Sequence, residues 1–398
     1  MPIPKVEVSR ITKNVLMLRL CDDETKYFEG LWYIPEGVTY NAYIATLPEG
    51  AIVFDGWKHT YGELFIETLK QHVDLKDIKY VVVHHTEPDH SGSLKNLLSI
   101  VDAIVVGHPM VKDLLNSFYG LNTKFKAVSD NENITFSGYT LKFIHVPWLH
   151  WPDTIVSYLQ EEKMLFSCDV FGSYGIPSKV FFDDMDEKEK NLFKWYSKKY
   201  FANIIGKYID WVQKNLAKLQ NQNLDIRIVA TGHGPLYRDL KPILELYKFW
   251  SSKQFVKNKT TIVYTSMYRF VEKAVKIVEE EIKNIEAKYR IYGFTDTHRD
   301  AESDIIGDVL DSENIVLATS TYDADIFHLM KHIANLINAK IPENKKILIL
   351  ASYGWGSVAG KKLKELLSKF KVVDIIEFKG NQIDREQVKL ALKKLFSN

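Results

Sequence analysis

The stretch YVVVHHTEPDHSG, residues 80–92, runs from an apolar segment into a loop that carries His84, His85, Glu87, Asp89 and His90. YVVV has the character of a strand buried on both faces. Past His85 the chain reads as an extended loop, in which alternation aims His85, Glu87 and Asp89 to one side, with His90 following at a turn. Taken alone, this is also what a solvated polar turn looks like, with Asp89 capping the helix that SGSLKNLL would form. The rest of the chain argues for a metal site. His150 sits in PWLHWPDT after a strand, Asp169 closes the strand KMLFSCD, and His233 lies in ATGHGP after another strand. Each is a nitrogen or oxygen donor at the end of an apolar strand, where a sheet gathers its loops. His84 would point away from His85. His59, His72, His108, His145, His328 and His332 have no donors clustered around them and read as packing or surface residues.

Outward from this stretch, the first half alternates short apolar runs with turns. Residues 42–47, 51–56, 80–85 and 103–108 read as strands, and 62–73 and 111–118 as helices. A second series of strands follows at 140–147, 154–159 and 163–169, then a long helical stretch over roughly 186–220, and one more strand at 227–235. A helical segment near 239–257 leads into a different pattern. The strands TTIVYTS, NIVLATS (314–320) and KKILILAS (345–352) each end in small and hydroxyl residues, with helical segments at 269–284, 326–337 and 360–370. Strand, loop and helix in repetition predict an open parallel sheet covered by helices. The division between the two patterns is placed at 1–256 and 257–398.

Composition bounds the rest. With 398 residues, 46% apolar and 26% charged, the chain has room for two or three domains of an ordinary globular protein. Its net charge of +1 gives no reason to expect nucleic acid or an anionic membrane surface as partner. No apolar run is long enough for a membrane span, and the amino terminus lacks the apolar core of a signal peptide. Two cysteines, Cys21 and Cys168, argue against a disulfide framework and make a reduced, cytoplasmic setting the default. A four-cysteine iron–sulfur or rubredoxin-type centre cannot be built from them.

The donor series resembles the metallo-β-lactamase superfamily, whose HxHxDH motif is followed by later His, Asp and His ligands. Here Glu87 stands where the second His of that motif would be. A carboxylate in place of an imidazole makes a site harder and more anionic, which favours iron over zinc. HxExDH followed by His, Asp and His resembles the flavodiiron proteins. The resemblance implies one iron held by His85, Glu87 and His150, a second by Asp89, His90 and His233, and Asp169 bridging the two. It implies an αββα metallo-β-lactamase-like sandwich followed by a flavodoxin-like doubly wound parallel sheet, in the minimal two-domain form. The early segment FEGLWYIPEGVTYNAYI (28–44) is also similar to that family.

In the second half, three loops fall at carboxyl ends of strands, where such sheets bind ligands. They contain Thr265, Ser266, Met267, Tyr268, Arg269 and Phe270; Thr319, Ser320, Thr321, Tyr322 and Asp323; and Ser352, Tyr353, Gly354, Trp355 and Gly356. Hydroxyls and backbone N–H groups at a helix start suit a phosphate, and Tyr322, Tyr353 and Trp355 suit a flat ring system. The order resembles the FMN-binding domain of flavodiiron proteins. The first loop departs from that pattern, because Arg269, Phe270 and Val271 stand where Gly and hydroxyl residues are usual.

The resemblance implies reduction of dioxygen to water, of nitric oxide to nitrous oxide, or both, at a non-haem diiron site fed by FMN. It implies a head-to-tail homodimer or a larger assembly of such dimers. It further implies a separate electron donor such as rubredoxin, a reductase or a reduced deazaflavin. The competing readings are a dinuclear zinc hydrolase and a non-catalytic flavin carrier or gas sensor.

Overall fold

The computed structural model describes residues 4–397. Two compact units divide the chain. One runs through Phe201 and includes Asp210–Lys248; the other joins Ala202–Ile209 to the chain from Phe249 onward.

The first unit holds two sheets. In the larger, the strands lie in the order Lys5–Arg10, Val15–Asp22, Val38–Leu47, Gly50–Phe54, Ile78–Val83, Ile104–Gly107 and Phe125–Ala127. The first four pair antiparallel, and from Gly50–Phe54 onward the pairing is parallel. The smaller sheet runs Asn133–Phe136, Tyr139–His145, Ile155–Leu159, Met164–Cys168 and Ile228–Thr231. Only its last pair is parallel. Parallel neighbours need crossovers. The helices Gly62–Lys70 and Val111–Tyr119 lie in such connections, and Glu187–Tyr200 and Ile209–Asn221 lie in the crossover to Ile228–Thr231.

One apolar core draws on both sheets: Met17, Tyr43, Phe54 and Val82 from the larger, Phe143, Ile155 and Phe166 from the smaller. Phe54 and Phe166 stack with ring centroids 3.9 Å apart. A polar tie crosses the same interior. The buried His84 ring lies 2.7 Å from Asp55 Oδ2 through Nδ1 and 2.7 Å from Ser157 Oγ through Nε2, so this histidine serves the sandwich. Having spent both ring nitrogens there, it has none left for a metal.

The second unit is one sheet of five parallel strands with a short hairpin addition, Asp325–Ile326, on the central strand. Its order is Tyr289–Phe294, Val256–Thr265, Ser312–Tyr322, Lys346–Tyr353 and Lys371–Lys379. In chain order this is 2-1-3-4-5, the flavodoxin-like arrangement. Phe270–Asn284, Glu302–Val309, His328–Lys340, Ala359–Leu366 and Arg385–Phe396 are the helices of this unit.

Three features differ from the periodicity reading. The long helical stretch is broken: Glu187–Tyr200 passes through a π-helical turn at Phe201–Ile205 and a 3-10 turn at Gly206–Tyr208 before Ile209–Asn221. All residues from Phe201 to Gly206 are buried, more than the one-sided stripe of an amphipathic α-helix can bury. The strands Tyr289–Phe294 and Lys371–Lys379 carry no clear periodicity because they lie at the sheet's edges, where exposed residues interrupt the apolar pattern. The amino-terminal pair, Lys5–Arg10 and Val15–Asp22, and the short strands Phe125–Ala127 and Asn133–Phe136 are likewise absent from the periodicity reading.

Candidate functional site

Strand ends of both sheets in the first unit bring seven side chains together. His85 follows Ile78–Val83, His150 follows Tyr139–His145, Asp169 follows Met164–Cys168 and His233 follows Ile228–Thr231. Glu87 precedes the short helix Pro88–Ser91, which holds Asp89 and His90, so the extended alternation expected from sequence stops at Glu87 and Asp89 turns to the second donor group instead of capping a helix. The donors of His85, Glu87, His150 and Asp169 form one group, and those of Asp89, His90 and His233 another. Asp169 belongs to both by geometry. Its Oδ2 lies 3.2 Å from His85 Nε2 and 3.3 Å from His150 Nε2. Its Oδ1 lies 2.8 Å from His90 Nε2 and 3.2 Å from His233 Nε2. Glu87 Oε2 closes the first group at 3.1 Å from His85 and 2.8 Å from His150. Asp89 Oδ2 closes the second at 3.3 Å from His233 and 3.6 Å from His90.

These separations fit metal coordination. Two donors each about 2.1 Å from one ion, at right angles, are about 3.0 Å apart. Hydrogen bonding alone fits poorly. His233 Nδ1 donates to Thr39 O at 2.7 Å, which leaves a lone pair on Nε2, and that atom faces His90 Nε2 at 3.0 Å. Both Asp89 oxygens are buried without a hydrogen-bond partner, as is Asp169 Oδ2. Cations would satisfy all of them.

Local backbone features aim these groups. The pairing of Met164–Cys168 with Ile228–Thr231 shifts register between Phe166 and Cys168, and Cys168 has φ 48°, so the chain turns just before Asp169. Gly232, beside His233, allows close approach: a Cβ there would sit 2.8 Å from His90 Cε1.

In the second unit, the three loops named from sequence end adjacent parallel strands. Thr265 Oγ1 and Thr319 Oγ1 are hydrogen bonded at 2.8 Å, and Ser320 pairs in register with Ser352. Thr321 Oγ1 accepts from the N–H groups of Val358 and Ala359. The hydroxyls of Ser266, Ser320 and Ser357 are buried and have no partner. Beside them, Tyr268 and Trp355 stand out in solvent, Trp355 completely. Unsatisfied hydroxyls at the carboxyl ends of parallel strands, next to exposed aromatics, fit a ligand with an anionic tail and a flat ring.

Comparison with known proteins agrees with both halves. The family described as ODP family beta lactamase matches residues 38–234. A flavo-di-iron protein of Thermotoga maritima, solved as a point mutant, is 35% identical, with a TM-score of 0.93 and 99% of each chain covered. The chain belongs to the flavodiiron family. A nitric oxide reductase of Moorella thermoacetica is 30% identical over 92% of this chain and 91% of its own. An anaerobic nitric oxide reductase flavorubredoxin of Salmonella arizonae is 27% identical over 90% of this chain and 74% of its own.

Several groups around the donors of this flavodiiron chain were not assigned from sequence. Asp153, inside PWLHWPDT, puts Oδ1 3.6 Å from His85 Nδ1, beyond hydrogen-bond length, so that its negative charge faces that edge of the ring. Its Oδ2 is fixed by Thr86 N and Thr86 Oγ1, at 2.9 and 2.5 Å. Thr39, which orients His233, and Phe28 and Tyr40, whose rings meet His233 edge-on, all lie in the early segment 28–44. Tyr200 packs 5.5 Å from His233 ring to ring, and its buried hydroxyl has no hydrogen-bond partner. Burial, then the charge of Asp169, push that phenol well up, so it keeps its proton. Trp151 meets His85 edge-on at 4.9 Å. The sequence signal for these residues was proximity to a quoted motif, and Tyr200, within the helical stretch 186–220, carried none.

The histidines set aside from sequence stay outside. His108 and His145 pack on each other at 4.7 Å, and His145 Nε2 lies 3.0 Å from Val128 O. Among the described residues, the only potential metal-ligand groups are at this site. They include Cys168 beside His90 and Asp169. Burial pushes the Cys168 thiol well up, which disfavours the thiolate a metal would need.

The site's electrostatics show how strongly it seeks positive charge. Burial alone would lower His150, but the facing carboxylates of Asp169 and Glu87 raise it to about 9. Burial is likewise outweighed at His233 by Asp169 and Asp89, which raise it to about 10. Burial opposes ionisation of Asp169, yet His90 and the other imidazoles hold it well below the usual carboxylate range.

Two outcomes follow. Below the ordinary histidine value of 6.5, folded and unfolded imidazoles both carry the proton; above it, folding must take one up. The metal-free protein should therefore lose stability as pH rises from 6.5 towards 10, seen as a falling urea midpoint. The metal-loaded protein should lack this drop, and a flat metal-free profile would contradict the account. Separately, Asp153→Ala should weaken metal binding by about 10- to 100-fold in competition with a chelator. Unchanged affinity would remove the positioning role of Asp153.

Proposed function

We propose that this flavodiiron chain is an oxidoreductase that reduces dioxygen to water, nitric oxide to nitrous oxide, or both. The reading takes two iron ions at His85, Glu87, Asp89, His90, His150, Asp169 and His233, and FMN at the loops beginning at Thr265, Thr319 and Ser352. The observation that carries it is the divided carboxylate of Asp169, one oxygen facing each donor group. The Moorella relative's description as a nitric oxide reductase supports the nitric oxide reaction. Glu87 supports iron, because a carboxylate-rich donor set is harder than the His-rich set zinc favours.

When bound, an iron pair and FMN supply one-electron steps to a diatomic gas. The chain's own residues do the rest. Thr39 holds His233 with its Nε2 towards the carboxylates, and the charge of Asp153 faces the opposite edge of the His85 ring. Phe28, Tyr40 and Tyr200 wall the His233 side with rings, which excludes bulk water. Tyr200 retains a proton beside the site.

We read the chain as working in a domain arrangement divided at 256 and 257, as a head-to-tail homodimer fed by a separate electron donor. The fully exposed Trp355 and largely exposed Tyr268 support a covered surface at the flavin loops.

The test is anaerobic reduction of the purified protein followed by timed consumption of each gas, with metal and flavin counted. Two irons and one FMN per chain, with turnover of at least one gas, is the expected result. Two zinc ions, no flavin absorbance and a hydrolytic activity would overturn it, as would reversible flavin reduction without gas turnover. Sedimentation should show a dimer; a strict monomer with full turnover would refute the assembly.

A further inference from the structure

The loop Ser266–Arg269 joins the first strand of the parallel sheet to the 15-residue helix Phe270–Asn284. Arg269, at the helix N-cap, has φ 62° and ψ 11°, in the left-handed region that favours glycine. Arg269 is exposed, makes no side-chain capping bond, and has no hydrogen bond or ion pair among the described residues. A residue held in an unfavourable conformation without an internal partner points to a partner outside the chain.

Two further observations say what that partner is. Ser266, 4% exposed, and Ser320, 7% exposed, have hydroxyls with no hydrogen-bond partner, on loops joined by the Thr265–Thr319 bond. Buried hydroxyls beside a helix amino end suit an oxyanion. Yet Glu272 lies in the first turn of that helix and opposes an anion. The helix end and hydroxyls therefore act against a nearby negative charge, which a guanidinium offsets.

We propose that Arg269 is the specificity-determining residue for the flavin, its guanidinium taking the phosphate of FMN so that binding discriminates against unphosphorylated flavin. This rests on the FMN reading above. A planar guanidinium can hold two phosphate oxygens at once, which a glycine in the same place cannot.

The test uses the full chain, stripped of flavin and titrated with FMN or riboflavin at low and high salt, followed by flavin fluorescence. Arg269→Gly should weaken FMN roughly tenfold at low salt and flatten its salt dependence, while riboflavin affinity stays unchanged. Arg269→Lys should fall between the two and keep the salt dependence. The flavin-free Arg269→Gly protein should melt no lower than the parent, because glycine suits the left-handed backbone. Lys273→Ala, a cation in the same turn, should bind FMN as the parent does. Parental FMN affinity in Arg269→Gly, equal losses for both flavins, or an equal loss in Lys273→Ala would overturn the role of Arg269. A parent that binds neither flavin would overturn the FMN reading itself.

Discussion

Glu87, Asp89 and Asp169 place three carboxylates among four imidazoles at a site where every histidine is buried. A buried, unpaired charge costs several kcal/mol, so such a cluster persists only when positive charge comes with it. Protons can supply that charge, which is why His150 and His233 stand far above the ordinary histidine range. Metal ions supply it better, because each can meet several donors at once. Asp169 directs one oxygen to each donor group, so whatever moves it disturbs both groups.

The rest of the first unit keeps that cluster in place. Its donors stand on strand ends of two different sheets, and those sheets share one core through contacts such as the Phe54–Phe166 stack. His84 links Asp55, beyond the end of Gly50–Phe54, to Ser157 in the smaller sheet. Sliding one sheet past the other would separate the two donor groups, so packing far from the ligands sets their spacing. The residue next to the most conspicuous ligand, His85, is thus a structural residue, and adjacent histidines serve opposite purposes because successive side chains on an extended chain point to opposite sides.

The parallel sheet of the second unit has the other general arrangement that suits a ligand. Its hydroxyl-bearing loops collect at the carboxyl ends of neighbouring strands, where backbone N–H groups and helix starts converge. Here the loops leave three hydroxyls without partners and Arg269 in a backbone region it does not prefer. Both features lower the stability of the isolated fold, and the anion proposed above would offset them, a common trade between stability and function.

Much was legible in the sequence. Donor identity is local chemistry, so HHTEPDH, the later His150, Asp169 and His233, and the substitution of Glu87 could be read from residue type and position after apolar runs. The alternation of strands and helices announced the parallel sheet in the same way, because periodicity follows from backbone geometry. What only the tertiary structure decided was pairing across long separations. Asp169 meets His90 from 79 residues away and His233 meets Thr39 from 194, and both meetings depend on strand register and sheet packing that no local pattern encodes. The register shift before Asp169, the support of His85 by Asp153 and the left-handed backbone at Arg269 belong to the same class. Each depends on where two remote segments are held, and that is determined by the whole core rather than by any stretch of chain.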